Sequence, residues 1–138
     1  MAQAWLLKTE PSTYSYAQLQ QDGRTVWDGE TNALALKHLA QVRKGDQLFI
    51  YHTGGEKAVV GTATALSAAY PDPTQGDPKR LVIDLAPAAP LPRPVPLAEI
   101  KADPTLRTWD LVRLPRLSVV AVSPAQRQAV VRLARRPA

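Results

Sequence analysis

The chain has no cysteine. Neither a disulfide framework nor a thiolate metal site is therefore open to it. Its two histidines, His38 and His52, are too few for a histidine-based zinc site without carboxylate help. No metal or cofactor is expected. After Asp110 there is no acidic side chain at all. No Gly-x-Ser-x-Gly elbow, P-loop or dinucleotide glycine fingerprint occurs, which removes the commonest signatures of hydrolases, nucleotide triphosphatases and dehydrogenases. The apolar run Ala4–Leu7 is too short for a signal h-region or a membrane span. The expectation is a cytoplasmic protein that makes no use of a membrane.

What remains is an ordinary globular composition, 45% hydrophobic in 138 residues, expected to form one domain over 1–138. The net charge of +5 is uneven. Residues 1–69 balance six Lys/Arg against six Asp/Glu, while residues 70–138 carry eleven against six. Arg113, Arg116, Arg127, Arg132, Arg135 and Arg136 follow the last acid. A basic half attracts polyanions through counterion release. The competing reading is a solvated helix face complementing its own dipole.

Residues 4–10 read as a strand, and Ser15 as the cap of a short helix with Gln18 as its capping-box partner. Trp27–Thr31 reads as a loop, and Asn32 as the cap of a helix over 33–41. Strands are expected at 47–52, 58–69, 80–85 and 117–122. Gly61, inside one of them, signals a bulge or the close approach of another backbone or a ligand. Tyr70–Pro78 reads as a loop. Five prolines make 86–96 extended or an edge. A helical turn follows at 97–102, and Ser123-Pro124 with Gln126 opens a last helix. The fold class is α+β: a small barrel of about five to six strands with short flanking helices.

Two segments carry chemistry. Lys8-Thr9-Glu10-Pro11 ends the first strand in a cation, a hydroxyl and an anion, and Trp27-Asp28-Gly29 sets an indole beside a carboxylate. Such parts suit a flat ligand with a π-face and a hydrogen-bonding edge. Trp27 either stacks on such a ligand or plugs one end of the barrel. Asp28 and Asn32 either read a base edge or serve a turn and a helix cap. Alternation sends one of Tyr51 and His52 inward and one outward, so that Tyr51 is either a second aromatic wall or a core residue. Trp109 is read as a hydrophobic anchor rather than a lid.

In order, Trp5–Pro11, Trp27–Gly29, Tyr51-His52, Ala69–Gln75 and Arg116–Val119 resemble the EVE domain family across essentially the whole chain. That resemblance implies a PUA-like fold, similar to the YTH readers of methylated adenine. It implies a non-catalytic module, monomeric, that recognises a modified nucleobase in DNA or RNA, with 5-methylcytosine favoured. Ligand contacts would fall to Lys8, Thr9, Trp27, Asp28, Asn32, Tyr51 and His52, and backbone phosphates to Arg113, Arg116 and Ser118. Many members carry Arg, Tyr and Arg where Thr31, Ala33 and Leu36 stand. Two alternatives stay open: an amidohydrolase of modified nucleosides like the related ASCH domains, using Lys8, Thr9 and Glu10, or an interaction module whose pocket has drifted.

Overall fold

A computed structural model describes residues 3–28, 32–74 and 76–136. The expected positions Gly29, Thr31 and Gln75 lie outside them. In chain order the elements are β1 (Ala4–Thr9), α1 (Tyr16–Asp22), β2 (Thr25–Trp27), α2 (Ala33–Leu39), β3 (Gln47–His52), β4 (Ala58–Ala65), β5 (Tyr70–Pro71), β6 (Leu81–Pro96), α3 (Leu97–Ala102), α4 (Asp110–Arg113), β7 (Val119–Val122) and α5 (Pro124–Ala134). The sheet runs β2-β6-β4-β3-β1-β7, with β5 alone against β6. It curls into a half-barrel flanked by short helices, the α+β class expected.

β1 pairs parallel to β3 and antiparallel to β7. Leu6, Leu7, Leu48 and Phe49 are all fully buried. Strands covered on both faces lose the alternation of a half-exposed strand and read as continuous apolar runs. That is the reason Leu48–Tyr51 shows no period of two. Beneath β1, the buried carboxylate of Asp46 accepts from Gln3 N, Trp5 Nε1 and Arg43 N at 2.9–3.0 Å, so its burial is compensated by hydrogen bonds. Trp109 is a core anchor, its indole N–H donating to Ala121 O at 2.8 Å.

What approaches Gly61 is neither another backbone nor a ligand but the side-chain ring of Tyr16. A Cβ there would lie 2.4 Å from the Tyr16 ring. Tyr16 is held at both ends, its N–H donating to His52 Nε2 at 3.0 Å and its hydroxyl to Thr62 O at 2.7 Å. The register of β4 slips on both sides of Gly61.

Several expectations need correction. Two short ladders, β2 and β5, arise where loops were expected and bring the strand count to seven. β4 stops at Ala65 because Leu66 N and Ser67 Oγ turn to the backbone of Asp84. The prolines of 86–96 do not end β6, a strand of 16 residues whose part from Leu85 to Pro96 lies against β4 with two shifts of register. Ser15 caps α1, but the Gln18 side chain reaches forward to Asp22 instead of back to the cap. The full capping box occurs at Ser123–Gln126, as read. A short helix, α4, stands where none was foreseen. Part of the basic half is consumed internally, with Arg93 forked onto Glu99 and Arg132 onto Asp103.

Candidate functional site

The parallel β1 and β3 end together, Lys8 beside Tyr51 and Thr9 beside His52. After Pro11 the chain folds back: Glu10 O accepts from Thr13 N and Tyr14 N, and the Thr9 hydroxyl donates to Tyr14 O at 2.7 Å. On the other side β2 clips Thr25–Trp27 onto Ile83–Leu85 of β6. These three segments enclose an open cleft of about 490 Å³ lined by Lys8, Thr9, Glu10, Tyr14, Trp27 and Asp28, among others. A narrow apolar crevice continues inward between Tyr14, Tyr16, Trp27 and Leu85.

Trp27 packs on the core with part of its surface exposed. Its indole Nε1 is buried and has no hydrogen-bond partner among the described residues. Trp5 and Trp109 both have bonded indole nitrogens. Trp27 is thus the one tryptophan whose indole nitrogen has no partner among the described residues. A groove of similar size, about 470 Å³, lies at the far end of β1 around Gln3, Gln47 and Arg127, but no aromatic lines it.

Around the cleft the charges are poised rather than neutralised. Lys8 Nζ donates to Pro115 O at 2.9 Å and sits 5.7 Å from the Tyr51 ring centroid. Burial lowers the Lys8 pKa. The Glu10 carboxylate is held below its usual range, chiefly by the Ser12 hydroxyl at 2.8 Å. Gly54, at φ +75°, makes room for that carboxylate, since a Cβ would lie 2.8 Å from its oxygen. Burial raises the Tyr14 phenol, whose hydroxyl donates to Asp22 at 2.8 Å. The cleft thus offers aromatic surface, an ammonium with donors to spare, and the carboxylates of Glu10 and Asp28 as acceptors.

The fold brings Lys8, Thr9, Trp27 and Asp28 together, as the sequence suggested. Tyr51 and His52 do not line this cleft. Both are buried, because β3 is covered on both faces, and the expected inward–outward alternation fails. Tyr51 lies beneath Lys8. His52 is a clamp, accepting from Tyr16 N and bonding Glu56 through Nδ1 at 2.7 Å. Asn32 uses its oxygen to cap α2, accepting from Leu34 N and Ala35 N. It lines a second groove of about 320 Å³ with Leu34, Arg113, Leu114 and Arg116. Pro115, whose carbonyl holds Lys8, also lines that groove, so one hydrogen bond links the walls of the two clefts. Ser118 is half-buried and contributes its carbonyl to Lys8 N. Sequence reasoning missed Tyr14 as a cleft residue. Its signal was an aromatic in the otherwise polar loop between Pro11 and the Ser15 cap.

A family model described as the EVE domain matches residues 3–133. Thymocyte nuclear protein 1 of Gallus gallus is 32% identical, the match covering 70% of this chain and 51% of that protein. The chain spans about half the length of the curated relatives it matches. A protein of Rhodopseudomonas palustris solved by NMR superposes with a TM-score of 0.92 at 36% identity, covering 96% of this chain and 93% of its own. Human THYN1, solved in complex with 5-methylcytosine-containing DNA, superposes with a TM-score of 0.90 over 99% and 100% of the two chains, at 23% identity.

Proposed function

Since this chain belongs to the EVE-domain family, we propose that it is a non-catalytic reader of a modified nucleobase in nucleic acid. The favoured ligand is modified cytosine such as 5-methylcytosine. Trp27 and Tyr14 provide the stacking surface, Asp28 and Glu10 accept from an exocyclic amine, and Lys8 donates to a ring or carbonyl acceptor. Arg113 and Arg116, on the adjoining groove, take the backbone phosphates. The observation that carries this reading is the partly exposed ring of Trp27, set in an open cleft beside both signs of charge. The DNA complex of human THYN1, alike in fold, supports the choice of ligand.

The cleft is poorly arranged for the hydrolase alternative. A nucleophile needs a base within reach of its proton. The Thr9 hydroxyl instead donates to the Tyr14 carbonyl, while Lys8 is turned to Pro115.

Titration of native tryptophan fluorescence tests the reading, because Trp5 and Trp109 are 5% and 2% exposed and Trp27 dominates any ligand response. Oligonucleotides carrying cytosine, 5-methylcytosine, 5-hydroxymethylcytosine or N6-methyladenine are compared at two salt concentrations. One modified base should bind best, and Trp27→Ala, followed by anisotropy of dye-labelled oligonucleotides because it lacks the reporter, should weaken it by the ~1–3 kcal/mol of a stacked base. Equal affinity for all four bases, or unchanged binding by Trp27→Ala, refutes the proposal.

A further inference from the structure

Among the described residues, three large apolar side chains are exposed: Val26, Leu34 and Leu114. All three border one or other of the two clefts. Val26 lines the Trp27 cleft, while Leu34 (39% exposed) and Leu114 (38%) line the second groove. Single exposed leucines are ordinary, and here two of them share one groove. The charge around them indicates which kind. Arg113 reaches Asp110 only through an exposed contact of 3.2 Å, of little energetic weight. Arg116 is exposed and makes no hydrogen bond or ion pair among the described residues. No acidic residue lines the groove among the described residues. Apolar surface between two available guanidiniums suits the edge of a base stack flanked by phosphates.

We propose that this groove opens duplex DNA. Leu114, backed by Pro115 and Leu34, wedges into the stack beside the nucleotide that turns into the Trp27 cleft, and Arg113 and Arg116 hold the phosphates on either side. The inference rests on the base-binding reading of that cleft. A base inside a duplex cannot reach a pocket until it is unstacked and unpaired, which costs a few kcal/mol. An inserted aliphatic side chain offsets that cost by filling the space the base leaves. The junction is built for such a division of labour: the Lys8–Pro115 bond couples the rim of the base cleft directly to the segment that carries Leu114.

The test uses the full chain, a duplex with one 5-methylcytosine and 2-aminopurine next to it, and the same modified strand alone. Wild type should bind both and raise the 2-aminopurine fluorescence of the duplex as its stack opens. Leu114→Ala should lose about 10-fold or more in duplex affinity and most of the fluorescence rise, while single-strand affinity stays within about 2-fold. Leu114→Met should retain both properties. Leu114 is exposed, so the fold should survive, as circular dichroism would verify. Equal losses on duplex and single strand, or none, overturn the wedge. Wild-type binding to the single strand alone also overturns it and leaves the base-binding reading standing. Failure of both oligonucleotides to bind overturns both.

Discussion

Gly61→Ala places a methyl carbon 2.4–2.6 Å from Cζ, Cε1 and Cε2 of Tyr16. Carbon atoms pack at about 3.5–4.0 Å, so the ring must retreat by roughly 1 Å. It has little freedom to do so. Tyr16 is 5% exposed, its hydroxyl is bound to Thr62 O and its backbone N–H to His52. Overpacking of this kind costs ~1–3 kcal/mol, and losing the hydroxyl bond adds ~1 kcal/mol. The expected loss is about 3 kcal/mol, a large share of the ~5–15 kcal/mol that holds a domain folded. At roughly 3–4 °C per kcal/mol for a chain of this size, the melting temperature should fall by about 10 °C. Urea unfolding of a double-mutant cycle isolates the cause. In a Tyr16→Ala background the methyl group has room, so the same substitution should cost less by ~2 kcal/mol, within the usual range of coupling between touching residues. A cost below ~1 kcal/mol in the native background, or one identical in both backgrounds, would refute the steric argument. Because Tyr16 also walls the crevice beneath Trp27, the single variant should weaken base binding as well.

Asn32→Ala removes the acceptor for two N–H groups at the start of α2 and should cost ~1 kcal/mol in urea titrations. Asn32→Asp keeps the cap oxygen and should restore most of it. For Asp103, burial opposes ionisation, but the Arg132 hydrogen bond and charge, with the Thr105 and Leu106 N–H groups, outweigh it and lower the pKa. A depressed carboxylate adds stability above its unfolded pKa of about 3.9 and loses it as pH falls through the folded value. Asp103→Asn should therefore be less stable than wild type by ~1 kcal/mol at pH 7, Arg132 being half exposed. The difference should shrink below about pH 4, and a constant gap from pH 7 to pH 3 would contradict the assignment.

Legibility in the sequence followed how local each signal was. The Ser123 capping box, the Asn32 cap and the bulge at Gly61 each depend on one or two residues and were readable. Lys8, Thr9, Trp27 and Asp28 were found because polar groups interrupt apolar runs there. Tyr51 was misplaced because the direction of a side chain follows from alternation only when one face of the strand is wet, and β3 is covered on both. Tyr14 had only the weak signal of an aromatic in a polar loop, and the pairing of Leu34 with Leu114 depends on chain segments distant in sequence meeting in space, which no local pattern encodes. The long β6 was hidden by its prolines, which a strand excludes only from the edge that donates.

That edge has a consequence for the protein at high concentration. Leu97 N donates to Lys57 O, and Val95 pairs with Val59. By alternation, Pro94 and Pro96 are the residues whose amide would have pointed away from β4. The outer side of β6 is thus stripped of donors in the stretch where no strand covers it. A passing chain that tried to extend the sheet there would find carbonyls without their matching N–H groups. Exposed sheet edges are the usual seeds of aggregation, and proline is among the residues that blunt them. These prolines bar cross-chain strand addition at no cost to the pairing within the fold.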